Sequence, residues 1–240
     1  DPKVALQSYF GRVQLNQDDK YYLTGTIRAD GSSKFGSNNK YAYFPSVGAK
    51  WAIINENFMK ANRYFSNLAL RASWGITGNQ EFPAGASQEQ FYFSSFNSAS
   101  QINVANPNLK WEQSTSIDLG LEFSSKNGKF WGGIDWYNKN TTNILFQSTA
   151  IQPAPASIYF INLPNAVLNN TGVEVSLGAN VVSKKDLTVD VNGYVAFNNN
   201  MLSKFTQNGQ DIQIITGSID GQGVSGTSVS YTHLTLPTKA

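Results

Sequence analysis

NPNLKWEQSTSIDLGLEFSSKNGKFWGGIDWYNKNTTNILF, residues 106–146, is the stretch whose reading decides the fold. In its first arm Ile117, Leu119, Leu121 and Phe123 alternate with Ser116, Asp118, Gly120 and Glu122. A period of two puts all the apolar side chains on one face of a strand. Past the turn SSKNGK, the second arm sets Phe130, Gly132, Ile134 and Trp136 against Trp131, Gly133, Asp135, Tyr137 and Lys139. The pattern predicts a hairpin with one apolar and one polar face. Soluble sandwiches alternate too, but their strands usually run about 5 to 6 residues. These arms are about twice as long, the length that crosses a bilayer at a tilt.

The same alternation extends in both directions. Before the hairpin it predicts strands over 4–16, 20–30, 42–54 and 66–77, and after it over 171–182 and 186–198. With the two arms of the hairpin this makes about eight long strands in an all-β antiparallel meander. Asn16–Asp19 and Ser183–Lys185 have the composition of tight turns. The link 55–65 breaks the period and carries a helical turn. The stretches 31–41, 78–110 and 147–170 show no period and predict loops. Most connections therefore alternate short and long, as in outer-membrane barrels, whose periplasmic turns are short and extracellular loops long.

Composition agrees. Charged residues are only 14% of the chain, too few for a helical surface but suited to long polar-lined strands. A net charge of +2 excludes electrostatic recruitment of nucleic acid. The absence of cysteine excludes disulfides, thiolate metal sites and cysteine nucleophiles. No apolar run is long enough for a membrane helix, and the first residues, DPKVALQSYF, show no signal-peptide pattern. The only histidine, His233, falls in the terminal VSYTHLTLPTKA, residues 229–240, which reads as a non-native, adapter-like tail. The expected layout is a partial transmembrane barrel over 1–198, an extracellular loop or the start of a further strand over 199–228, then that tail.

Several segments together resemble a known family. YYLTGTIRADGSSKFGSNNKYAYFPSVGAKWAIINENFM, LALRASWGITGNQ, NPNLKWEQSTSIDLGLEF, GGIDWYNKNTTNIL and NTGVEVSLGANVV are similar, in order and spacing, to the C-terminal barrel of SusC/RagA-type TonB-linked (TonB-dependent) outer-membrane transporters of the Bacteroidota. The resemblance implies a barrel of about 22 strands with a plugged lumen. It also implies energy coupling through TonB by an N-terminal region and a SusD-like surface lipoprotein that delivers oligosaccharides or peptides. Neither a plug, a TonB box nor an N-terminal extension is recognisable in the sequence, so the implied object is an incomplete, open barrel. The alternatives are a free-standing eight-stranded barrel, which requires the first and eighth strands to pair, and a soluble β-sandwich that binds carbohydrate, which requires the apolar faces to meet in a dry core.

Catalysis has no support in this sequence. A His-based triad lacks its histidine, no zinc ligand set exists, and no cofactor motif is present. Asp118 and Glu122 share one face of one strand, yet nothing marks them as an acid and base pair. Arg28, Lys50, Arg71, Asp118, Glu122, Asp135 and Glu174 are the expected lumen-facing charges, which either line a solute path or simply form the wet face of a large barrel. Phe91, Tyr92, Phe93 and Phe96 are the candidate contacts for substrate or partner, set against the alternative that they fold inward and pack their own loop. Trp51, Trp74 and Trp136 suit interfacial girdles, whereas the period assigns Trp131 to the lumen.

Overall fold

The computed structural model describes residues 3–93, 98–149, 155–156, 158–207, 210–211, 213–215, 228–230 and 233–235. Its strands are β1 (Leu6–Gln17), β2 (Tyr21–Ser32), β3 (Tyr41–Trp51), β4 (Phe65–Asn79), β5 (Gln90–Phe93), β6 (Ala99–Val104), β7 (Glu112–Ser125), β8 (Phe130–Thr142), β9 (Ile144–Thr149), β10 (Ile158–Leu163), β11 (Val167–Lys184) and β12 (Leu187–Ser203). The eight long ones form one antiparallel sheet in the order β1-β2-β3-β4-β7-β8-β11-β12. This is the expected meander, with strands of 11 to 18 residues. At about 3.4 Å per residue even the shortest exceeds the roughly 30 Å of a bilayer core.

Register converts alternation along each strand into continuous faces across the sheet. Leu15, Leu23, Ala49, Ala72, Leu119, Trp136, Val173 and Phe197 are successive cross-strand partners and form one apolar row. The adjacent row runs through Tyr21, Trp51, Leu70, Leu121, Ile134, Val175 and Val195. These side chains are not covered: Leu119 is 49% exposed and Phe197 68%. So large an apolar face demands a nonaqueous partner. A soluble sandwich would bury it against a second sheet, and no described residue does so. The free-standing barrel fails as well, because among the described residues β1 pairs only with β2, and β12 pairs beyond β11 only with His233–Thr235. Among the described residues the sheet is an open wall.

One end of the wall is closed by tight connections. Asp18 and Asp19 both have positive φ, 53° and 52°, the backbone of a type I′ hairpin turn, and the Asn16 amide oxygen accepts from the Asp19 N–H at 3.2 Å. The link after β3 holds two 3-10 turns, Ile53–Asn55 and Asn57–Met59. The third strand therefore ends at Trp51, three residues short of its expected limit. Glu56 ties this link to the neighbouring turn. Its carboxylate accepts from the Tyr21 hydroxyl at 2.5 Å, from Lys20 Nζ at 3.1 Å and from the Trp51 indole N–H at 3.1 Å. These three donors, Tyr21 foremost, hold the Glu56 carboxyl at about 2 instead of 4.5.

The opposite end departs from expectation. The stretches 78–110 and 147–170 are not structureless: β5, β6, β10 and β9 form a second sheet in that order, and β11 begins at Val167, four residues early. Their short strands show too few alternations to announce themselves. Within this sheet β6 and β10 run parallel, Ile158 opposite Asn103. Three compact clusters support this end: Phe35 with Phe44 and Trp111, Ala86 with Leu109 and Phe160, and Leu163 with Ala166 and Phe205. The Phe35 and Trp111 rings stack at 4.5 Å. Towards the C-terminus, Ser228–Ser230 pairs with Gln213–Ile215, and His233–Thr235 pairs with Met201–Ser203.

Two measurements follow from the faces and from the carboxylate tie. Leu119→Arg on the apolar face is expected to cost about 2–4 kcal/mol of folding free energy into lipid vesicles, whereas Ser116→Arg, on the other face of the same strand, changes it by about 0.5 kcal/mol or less. Equal losses at the two positions would refute the face assignment. Because folding lowers the Glu56 pKa, its contribution is complete above pH 4.5 and is lost as pH falls towards 2. The thermal midpoint of the parent protein should therefore drop more steeply through that window than that of Glu56→Gln, while their difference stays constant at higher pH.

Candidate functional site

The other face of the wall gathers the charges. Lys50, Arg71, Gly120, Asp135 and Glu174 follow one another across β3, β4, β7, β8 and β11, with Glu122 one row away. Arg71 is the hub: its Nε lies 3.0 Å from Glu122 Oε1 and its Nη2 lies 2.8 Å from Asp135 Oδ1. Lys50 Nζ reaches the second oxygen of Glu122 at 3.4 Å. Four side chains from four strands thus form one network on a half-exposed surface. Gly120 makes it possible, since a Cβ there would stand 2.3 Å from Asp135 Oδ1 and 3.2 Å from Arg71 Nε. The missing side chain lets the ion pair cross the strand against the backbone.

The remaining expected charges lie on the same face but enter other contacts. Asp118 accepts from the Ser73 hydroxyl at 3.0 Å and lines, with Lys50, Arg71 and Asp135, a recess of about 250 Å³. Glu174 neighbours Asp135 in register, and Tyr194 stands diagonally across from it on β12. Arg28 stands apart, 2.6 Å from the buried Asp30 and above the Phe44 ring. Asp118 and Glu122 have different partners, so the geometry gives them no shared proton to exchange. Among the described residues no group of three or more His, Cys, Asp or Glu side chains could hold a metal ion.

The aromatic cluster lies in the second sheet. Phe91, Tyr92 and Phe93 occupy β5, its outer strand, where Tyr92 is 64% and Phe93 75% exposed; they do not fold inward. Phe96 lies outside the described residues. Sequence reading passed over Ser73, Gly120 and Tyr194, whose roles depend on cross-strand neighbours, and assigned no role to Trp111. The only signal for the first three was their parity, which places them with the charges.

A wall with one face for lipid and one for water, tight turns at one end and built loops at the other, is a segment of an outer-membrane β-barrel. The family model for TonB dependent receptor-like β-barrels matches residues 1–235, and the chain belongs to that family. It is 34% identical over 84% of its length to the TonB-dependent receptor SusC of Bacteroides thetaiotaomicron, and 35% identical over 72% to the TonB-dependent receptor P26 of Formosa agariphila. It spans 21% and 18% of those two proteins. The RagAB peptide importer in its closed-closed state superposes with a TM-score of 0.79 at 27% identity, over 89% of this chain and 24% of that one. The siderophore receptor PirA from Pseudomonas aeruginosa, at 14% identity and a TM-score of 0.50, shares the fold alone. The protein is a SusC/RagA-type TonB-dependent receptor barrel segment of the bacterial outer membrane.

The role of Gly120 can be measured. A double-mutant cycle between Arg71→Gln and Asp135→Asn should give a coupling of about 0.2–1 kcal/mol in urea unfolding, typical of an exposed pair. In a Gly120→Ala background the coupling should fall close to zero; an unchanged value would show that the pair does not need the open strand.

Proposed function

We propose that this chain supplies part of the barrel wall of an importer that moves oligosaccharides or peptides through the outer membrane. The observation that carries the reading is the two-faced wall: continuous apolar rows on one side and the Lys50–Glu122–Arg71–Asp135 network on the other. The apolar rows contact lipid. Arg28, Lys50, Arg71, Asp118, Glu122, Asp135 and Glu174 face the lumen. Such a face stays hydrated and offers both signs of charge to a solute or to a plug.

The built loops serve the outer surface. Phe91, Tyr92 and Phe93 present apolar area at a strand edge, the kind of surface that anchors an interface, and the partner proposed for it is a SusD-like lipoprotein. TonB would act through a region outside this barrel segment. The relatives named for TonB dependence and for peptide import support this reading.

The test is uptake by cells carrying the full-length receptor and its neighbouring lipoprotein. Import of a fluorescent oligosaccharide or peptide should require TonB and should fall at least fivefold in a Phe91→Ala, Tyr92→Ala, Phe93→Ala variant that also loses co-purification of the lipoprotein. Import that persists without TonB refutes the importer reading, and retained co-purification refutes the role given to β5.

A further inference from the structure

The apolar face of the wall is not uniform. Ala49 and Ala72, opposite each other on β3 and β4 and both exposed, interrupt the first apolar row between Leu23 and Leu119. With the adjacent row they leave a groove of about 630 Å³ that reaches from Tyr21 and Trp51 to Ile134 and Trp136, within the roughly 300–1,000 Å³ of small-molecule sites. The groove is inclined to the strands. It starts at strand ends, since Tyr21 is the first residue of β2 and Trp51 the last of β3, but finishes well inside β8, which begins at Phe130. Crossing from β2 to β8 at strand spacings of about 4.8 Å makes it about 19 Å long. One end therefore opens at the tight turns, and the other lies within the membrane span.

The open end is cationic. The Tyr21 and Trp51 rings stack at 6.5 Å and turn their polar atoms to Glu56, which also holds Lys20 Nζ at 3.1 Å. That ammonium group keeps two further donors. The three connections at this end, 18–20, 52–64 and 126–129, carry Lys20, Lys60, Arg63, Lys126 and Lys129 against Asp18, Asp19 and Glu56. Among the described residues Lys60, Arg63 and Lys129 enter no ion pair. An apolar groove that runs into a cationic rim is complementary to an amphiphile with an acyl chain and an anionic headgroup. Short turns of outer-membrane barrels face the periplasm, which places that amphiphile in the periplasmic leaflet.

We propose that the groove over Ala49 and Ala72 seats an anionic phospholipid of the periplasmic leaflet, with one acyl chain lying along it towards Trp136 and the phosphate held by Lys20. The seat rests on the reading of the apolar rows as lipid-facing and adds to it a position and a headgroup.

The test uses the full-length receptor, delipidated in detergent and then supplied with dioleoylphosphatidylglycerol, dioleoylphosphatidylethanolamine or lipopolysaccharide, and native mass spectrometry counts what is retained. Phosphatidylglycerol should be retained about fivefold more tightly than phosphatidylethanolamine. Lys20→Gln, which keeps a donor for Glu56, should bring the two within about twofold. Ala72→Phe, which fills the floor of the groove, should lower retention roughly fivefold or more. A measurement that needs neither variant is quenching: phosphatidylglycerol brominated in mid-chain should quench an emission component that Trp136→Phe removes. The seat is overturned if no phospholipid is retained, or if phosphatidylethanolamine or lipopolysaccharide is held as tightly as phosphatidylglycerol. It is equally overturned if Lys20→Gln keeps the preference, if folded Ala72→Phe retains as much lipid as the parent, or if the brominated lipid quenches parent and Trp136→Phe alike. A disulfide-linked pair of receptors formed by Ala72→Cys would also overturn it, by showing a second copy in the groove. Vesicle folding that Leu119→Arg impairs and Ser116→Arg does not leaves the lipid-facing reading standing when the seat alone fails.

Discussion

The constraint on which this structure depends is that a backbone inside a bilayer must satisfy its N–H and C=O groups without water. An antiparallel meander does so by pairing each strand with its sequence neighbours, and the register that results then determines the rest. Leu119 belongs to the apolar face because it is opposite Ala72 and Trp136, and Asp135 meets Arg71 because Gly120 lies between them. Side-chain interactions on the wall are individually weak, since they are half exposed. What makes them specific is the ladder beneath them, which allows only certain residues to become neighbours.

Packing is concentrated elsewhere. The clusters around Phe35, Leu109 and Leu163 all sit at the end with the long connections, and the wall itself has few buried side chains. A barrel wall this thin cannot bury a core of its own and borrows apolar surroundings from the membrane. Loops exposed to water have no such support and must build a core within themselves. At the tight-turn end the same need is met by polar means, through the three donors gathered by Glu56.

The parts of this fold legible in the sequence are those with a long repeated period. Eight strands, their two faces and the common side of all seven expected charges could be read because each strand repeats the alternation at least five times. The second sheet could not, because β5 has four residues and β6, β9 and β10 have six each, too few to distinguish a strand from an irregular stretch. Phe35 and Trp111 lie outside every strand, where no period operates, and gave no warning of their contact. For the candidate site, parity revealed the face but not the partners: nothing within β7 signals that Gly120 is the crossing point for Arg71. Trp131 stood out as an aromatic of the wrong parity, yet the glycine that seats it is 47 positions away in sequence, at Gly178.

The parallel pairing of β6 with β10 joins the two long connections that leave β4 and β8. Asn106 reinforces the join by donating to the Phe160 carbonyl at 2.8 Å, and Asn162 by bonding both the N–H and the C=O of Lys110. Each connection thus completes the other's hydrogen bonds. As heritable units they are not two loops but one, so an exchange between homologous receptors that carried only one of them would leave polar backbone stranded. Diversification of this end of the wall has to proceed by trading both together, or by changes confined to the edge strand β5.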